Sequence, residues 1–82
     1  MIERIVKVET SLEARPAALF VQSASKFASS ILVKIENKTV NAKSIMGMIS
    51  LGIIDGQTVT LIAEGADEQQ AVNELHRFFS AV

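Results

Sequence analysis

Residues 2–9 alternate in polarity: Ile2, Val6 and Val8 fall on one face with Arg4, while Glu3, Lys7 and Glu9 fall on the other beside Ile5. That period of two predicts a half-buried strand. The period then lengthens. Ala17, Phe20, Val21, Ala24 and Phe27 recur at spacings of three and four, which predicts a helix with one apolar stripe and with Pro16 in its first turn. Alternation returns over residues 31–36, where Ile31, Val33 and Ile35 oppose Lys34 and Glu36. A turn at Asn37-Lys38 followed by Thr39-Val40-Asn41 completes a predicted hairpin.

Ser44 precedes Ile45, Met46, Met48, Ile49 and Leu51, a run closed by Gly52 that fits one or two helical turns. Asp55-Gly56 marks another turn, and Thr58 to Ala63 is β-branched and apolar enough for a strand. Asp67 with Gln70 has the spacing of a helix-capping pair. Behind it, Ala71, Val72, Leu75, Phe78, Phe79 and Val82 form the apolar stripe of a last helix, with Gln70, Asn73, Glu74 and Arg77 left for solvent. The order is therefore strand, helix, two strands, helix, strand, helix. Because its middle strands form a hairpin, a doubly wound parallel sheet is excluded. The economical fold is α+β: a four-stranded antiparallel sheet covered on one face by three helices, in a single domain spanning residues 1–82, with the other face partly wet.

Composition narrows the chemistry. A chain of 82 residues has room for one core and a stability of roughly 5 kcal/mol. With no cysteine, disulfides, thiolate metal sites and thiol chemistry are excluded. Eight basic and nine acidic residues are scattered, which argues against a surface that tracks nucleic-acid phosphates and against a basic amphipathic helix on a membrane. The beginning, MIERIVKVET, is neither a secretory signal nor a span of about 20 apolar residues. A cytoplasmic protein that works through protein partners is the expectation. The only histidine, His76, falls on the polar side of the last helix, and one histidine cannot build a metal site.

Two segments are more specific than any periodicity. Ser11-Leu12-Glu13-Ala14-Arg15-Pro16-Ala17-Ala18-Leu19-Phe20-Val21-Gln22 resembles the active-site segment of the HPr family of phosphocarriers, and Val40-Asn41-Ala42-Lys43-Ser44-Ile45-Met46-Gly47 resembles its regulatory serine segment. Ala63-Glu64-Gly65 and Asp67-Glu68 extend the likeness, so that it covers essentially the whole chain. The resemblance implies an HPr-like open-faced sandwich of order βαββαβα. It also exposes a gap, because the family carries its phosphocarrier histidine directly before Ala-Arg-Pro, where this chain has Glu13. An imidazole at a helix N-terminus can accept and pass on phosphate, which a carboxylate does not simply copy. Glu13 is expected instead to cap the first helix or complement its dipole, and to pair with Arg15.

A lost histidine beside a retained serine segment is the pattern of the family's Crh branch, which typically has glutamine at that position. The resemblance then implies that Ser44 is phosphorylated by HPr kinase/phosphorylase, and that the phosphorylated chain is a corepressor of CcpA, a LacI-type repressor, in carbon catabolite repression. DNA contact would belong to CcpA. The chain would be a kinase substrate rather than an enzyme, with no cofactor and no metal. Residues expected at the partner surface are Glu13, Arg15, Ile45, Met46 and Ile49, with Met48 in the core; Lys43 is either a recognition residue or a solvated lysine. Without the resemblance, Ser44 would be read as a helix cap alone.

Two other functions compete: a divergent phosphocarrier of the sugar phosphotransferase system, and an adaptor of a metabolic enzyme indifferent to phosphorylation. Assembly stays open between a monomer and a homodimer that exchanges first strands.

Overall fold

In a computed structural model, residues 1–80 of the 82 are described. The chain runs through β1 (Ile2–Lys7), α1 (Ala14–Ser25), β2 (Ser30–Ile35), β3 (Lys38–Asn41), α2 (Ile45–Leu51), β4 (Thr58–Glu64) and α3 (Glu68–Leu75), and then a 3₁₀ turn over His76–Phe79. All strand pairs are antiparallel, in the order β1-β4-β2-β3. The expected α+β class and element order are those observed.

Register explains why the helices share one side. Ile31 lies beside Ala63 and Val33 beside Leu61, while on the other flank of β4 Ile2 meets Ala63 and Val6 meets Val59. These positions point one way and meet Ala17, Phe20 and Ala24 of α1, Met48 and Leu51 of α2, and Ala71, Val72 and Leu75 of α3. Phe20 is the pivot of this core. Its ring lies 5.4 Å from Phe78, edge-on, and 5.5 Å from Phe79, so α1 is packed against the 3₁₀ turn. The opposite face carries Glu3, Ile5, Lys7, Leu32, Lys34, Thr58, Thr60 and Ile62, the alternation expected of a sheet wet on one side.

Four local expectations are corrected. The first strand stops at Lys7 rather than residue 9, although Val8 is still buried and its N–H still donates to Gln57. The hairpin turn is Glu36-Asn37, because Ile35 pairs with Lys38; Glu36 takes φ 54°, a left-handed value that a side chain disfavours. Helix α1 ends at Ser25, before Phe27, which nevertheless packs against the core. The last helix tightens to the 3₁₀ turn after Leu75, and Val82 lies outside the described residues.

The supposed capping pair at Asp67 and Gln70 is also different. Asp67 sits at the N-cap of α3 but makes no side-chain cap bond. Its carboxylate accepts from the N–H of Ala28, at 2.9 Å, and from both the N–H and the hydroxyl of Ser29. Glu68 does the local work, accepting from the Gly65 N–H at 3.1 Å. Asp67 therefore clasps the loop between α1 and β2 to the start of α3. The contact is close: a Cβ on Gly65, at φ 152°, would stand 2.6 Å from Ser29 Oγ. Hydrogen bonds, the Ser29 hydroxyl first and the Ala28 N–H next, hold the Asp67 carboxyl below its ordinary range.

Candidate functional site

The segment before α1 is pinned by backbone bonds to the segment before β4. Val8 and Gln57 are joined at 2.8 Å, Gly56 donates to the Val8 carbonyl at 2.9 Å, and Leu12 donates to Ile53 at 3.0 Å. The Asp55 N–H adds a bond to Ser11 Oγ at 3.1 Å. With Leu12 buried, this pinning turns Glu13 outward at the N-cap of α1, where its backbone is extended and its carbonyl accepts from Ala17. The Glu13 carboxylate makes no cap bond, and among the described residues no ion pair joins it to Arg15. The expected cap and the expected pair are both absent. What remains is a carboxylate at the positive end of the helix dipole and an exposed guanidinium in the same first turn.

The serine segment is built in the same way. Asn41 Oδ1 accepts from the Lys43 N–H at 2.8 Å and the Asn41 carbonyl accepts from Ser44 at 3.0 Å, a tight turn that presents Ser44 in extended backbone. From there Ser44 caps α2: its Oγ accepts from the Gly47 N–H at 3.1 Å, and its carbonyl accepts from Met48. A methyl group on Gly47 would be tight, since a Cβ would lie 3.2 Å from Val40 Cβ and 3.3 Å from Ser44 Oγ. Gly52 ends the helix in the left-handed region at φ 61°. Lys43 is half-buried and donates through Nζ to the Phe27 carbonyl at 2.8 Å, just past the negative end of α1, so its ammonium ties two elements together.

Helical phase decides the rest. With Met48 at 1% exposure and Leu51 buried as the anchors of α2, Ile45, Met46 and Ile49 must point outward, at 44%, 73% and 46% exposure. Ser44 and this apolar trio thus share one end of the molecule. A groove of about 340 Å³ runs beside them, lined by Ser11 to Ala14 on one bank and by Ile49 and Gly52 to Ile54 on the other. The groove brings Glu13 and Ile49 to one site. It also adds Ser11, Leu12 and Ile54, which sequence reasoning did not single out; the apolar Ile53-Ile54 pair ahead of the Asp55-Gly56 turn was the available signal. His76 takes no part. It lies at the end of α3, half-buried, with Nδ1 3.3 Å from the Val72 carbonyl.

No helix among the described residues is long and apolar enough to cross a membrane, and no three His, Asp or Glu side chains among them gather into a metal-binding group. The geometry is that of a surface: a capped serine, an apolar trio, a free cation and a groove.

Comparison with known proteins finds matches that run over nearly the whole chain. Residues 2–81 match a family model described as PTS-HPr, the PTS HPr component phosphorylation site. The HPr-like protein Crh of Halalkalibacterium halodurans is 58% identical over 73 residues, which cover 89% of this chain and 87% of that one. A crystal structure of the phosphocarrier protein HPr from Bacillus anthracis superposes with a TM-score of 0.92 at 43% identity, over 96% of each chain. The crystal structure of Crh from Bacillus subtilis, described as a dimer with a swapping domain, superposes at 0.78 with 49% identity, over 96% of this chain and 93% of that one.

Proposed function

The chain belongs to the HPr family and resembles its Crh members, and on that footing we propose that it is a regulatory protein switched by phosphorylation of Ser44. HPr kinase/phosphorylase installs and removes the phosphate in the cytoplasm. The modified chain then binds CcpA and acts as its corepressor in carbon catabolite repression.

One observation carries this reading: the serine that caps α2 stands directly beside an exposed apolar trio whose burial the fold does not require. A phosphate there adds about −1.5 to −2 charges and three acceptor oxygens to a surface that is otherwise apolar. A partner then reads charge and apolar shape together, with Met46, Ile45 and Ile49 as anchors and Arg15 as the cation that reaches a partner carboxylate. Glu13 borders the same groove and fills the position where the family's phosphocarriers have histidine, which speaks for regulation rather than phosphate relay. Lys43 contributes by holding the serine turn against α1. The connection over residues 8–13 is the hinge across which a copy could exchange β1, and the Bacillus subtilis Crh structure is described as a dimer with a swapping domain; light-scattering mass distinguishes monomer from dimer.

Intact-mass analysis tests the switch. The chain and Ser44→Ala are incubated with HPr kinase/phosphorylase and ATP, and in parallel with a phosphoenolpyruvate-driven phosphotransferase reaction. The expected result is one phosphate, from the kinase only, absent in Ser44→Ala. Phosphate from the phosphotransferase reaction alone would revive the carrier, and none in either would leave the adaptor.

A further inference from the structure

We propose that β1 is a homotypic docking edge: two copies pair their first strands antiparallel, centred on Ile5, and join two four-stranded sheets into one of eight strands. Strand β1 is six residues long and, among the described residues, pairs with β4 alone, which leaves its other edge without a strand partner among them. The open groups can be identified. The Val8 N–H donates to Gln57, which continues the β1–β4 register by one residue, and bonding alternates along an antiparallel ladder. Even-numbered residues of β1 therefore bond β4, and Glu3, Ile5 and Lys7 turn their N–H and C=O groups outward. Glu9 obeys the same alternation, since its N–H faces away from β4 and meets the Phe79 carbonyl at 2.7 Å.

Self-pairing centred on Ile5 sets Ile5 against Ile5 of the copy, and Glu3 and Lys7 against Lys7 and Glu3 of the copy. All three are hydrogen-bonded pairs, each exchanging two backbone bonds. The side chains agree with that register. Glu3, Ile5 and Lys7 stand on the same sheet face, so the pairing gives two opposite-charge pairs around an apolar centre, whereas a parallel pairing would stack like charges. Ile5 is the observation the isolated fold leaves without purpose: at 74% it is as exposed as Met46, on a strand whose other apolar side chains face the core. The other edge, β3, has no such symmetry, being four residues long with Lys38, Thr39 and Asn41 exposed. One strand edge buries less than the roughly 1,200 Å² of a standard complex, so the association is weak and concentration-dependent. It differs from strand exchange, in which β1 leaves its own β4.

Sedimentation equilibrium from about 10 μM to about 1 mM tests the pairing. The chain is expected to rise toward dimer mass over this range. Glu3→Lys and Lys7→Glu each set like charges opposite one another and are expected to raise the dimer dissociation constant about tenfold, and the double reversal is expected to restore it. As the chain has no cysteine, Ile5→Cys should give a disulfide-linked dimer on mild oxidation, since hydrogen-bonded partners lie about 5.5 Å apart at Cα, whereas Ser50→Cys should not. A chain that stays monomeric throughout, or a dimer unmoved by the single reversals, as strand exchange would give, overturns the proposal.

Discussion

Replacing Ser44 with alanine removes the side-chain acceptor of the Gly47 N–H, and the loss in folding stability is expected to be about 1 kcal/mol. The measured range for such caps is about 0.5–2 kcal/mol. Two features of the structure place this one near the middle. The hydroxyl is half-buried, so water replaces part of the lost bond, yet α2 has only seven residues and no acidic side chain in its first turn to support it. Against a total of roughly 5 kcal/mol, that loss lowers the melting temperature by about 4–8 °C and the urea midpoint with it, at an unchanged slope. Ser44→Asn is the companion variant, because its side-chain oxygen still caps a helix but cannot be phosphorylated as serine is. It should keep most of the stability while refusing phosphate as completely as Ser44→Ala does. Should Ser44→Ala unfold at the wild-type urea concentration, or Ser44→Asn fall as far as alanine, the capping argument is wrong.

The two methionines of α2 should behave oppositely: Met48→Ala is expected to cost about 2–5 kcal/mol in urea unfolding, and Met46→Ala less than about 0.5 kcal/mol while weakening the bound partner's affinity for the phosphorylated chain. Glu36→Gly relieves a left-handed residue in the hairpin turn and should raise stability by up to about 1 kcal/mol, seen as a higher melting temperature. Asp67 gives a pH dependence of known sign. Its carboxyl is held below the ordinary value of 3.8, so its contribution is fully present above that pH and disappears as the pH falls through the lower folded value. The drop in urea midpoint on acidification should therefore be smaller in Ser29→Ala, which lacks the largest of the hydrogen bonds; an equal drop would count against the clasp.

The fold class was legible because each element carries its own period: two in β1, β2 and β4, three to four in α1 and α3. Element ends were less so. The hairpin turn slid by one residue because Asn37-Lys38 looks like better turn material than Glu36-Asn37, and only pairing of Ile35 with Lys38 decides between them. The last helix tightened at His76 where Phe78 and Phe79 both turn toward Phe20, a demand of the core that no local pattern announces. Asp67 went astray for a similar reason. Its spacing from Gln70 suggested a local cap, but its partners, Ala28 and Ser29, lie 39 and 38 residues away in the chain.

By itself, the sequence determined the order of elements, the one-sided sheet, the serine at the head of a short helix and the residue types around it, since all of these are written in neighbours a few positions apart. Tertiary structure alone decided which of those residues meet. Burial of Met48 and Leu51 fixed the phase of α2 and so exposed Ile45, Met46 and Ile49; backbone bonds from Leu12 to Ile53 and from Gly56 to Val8 brought Glu13 to the groove beside Ile49. The strand order left β1 at an edge with its odd residues facing out. Such contacts join residues far apart in sequence, and their pairing is set by close packing and by the need to satisfy every backbone group, quantities that exist only once the chain has closed on itself.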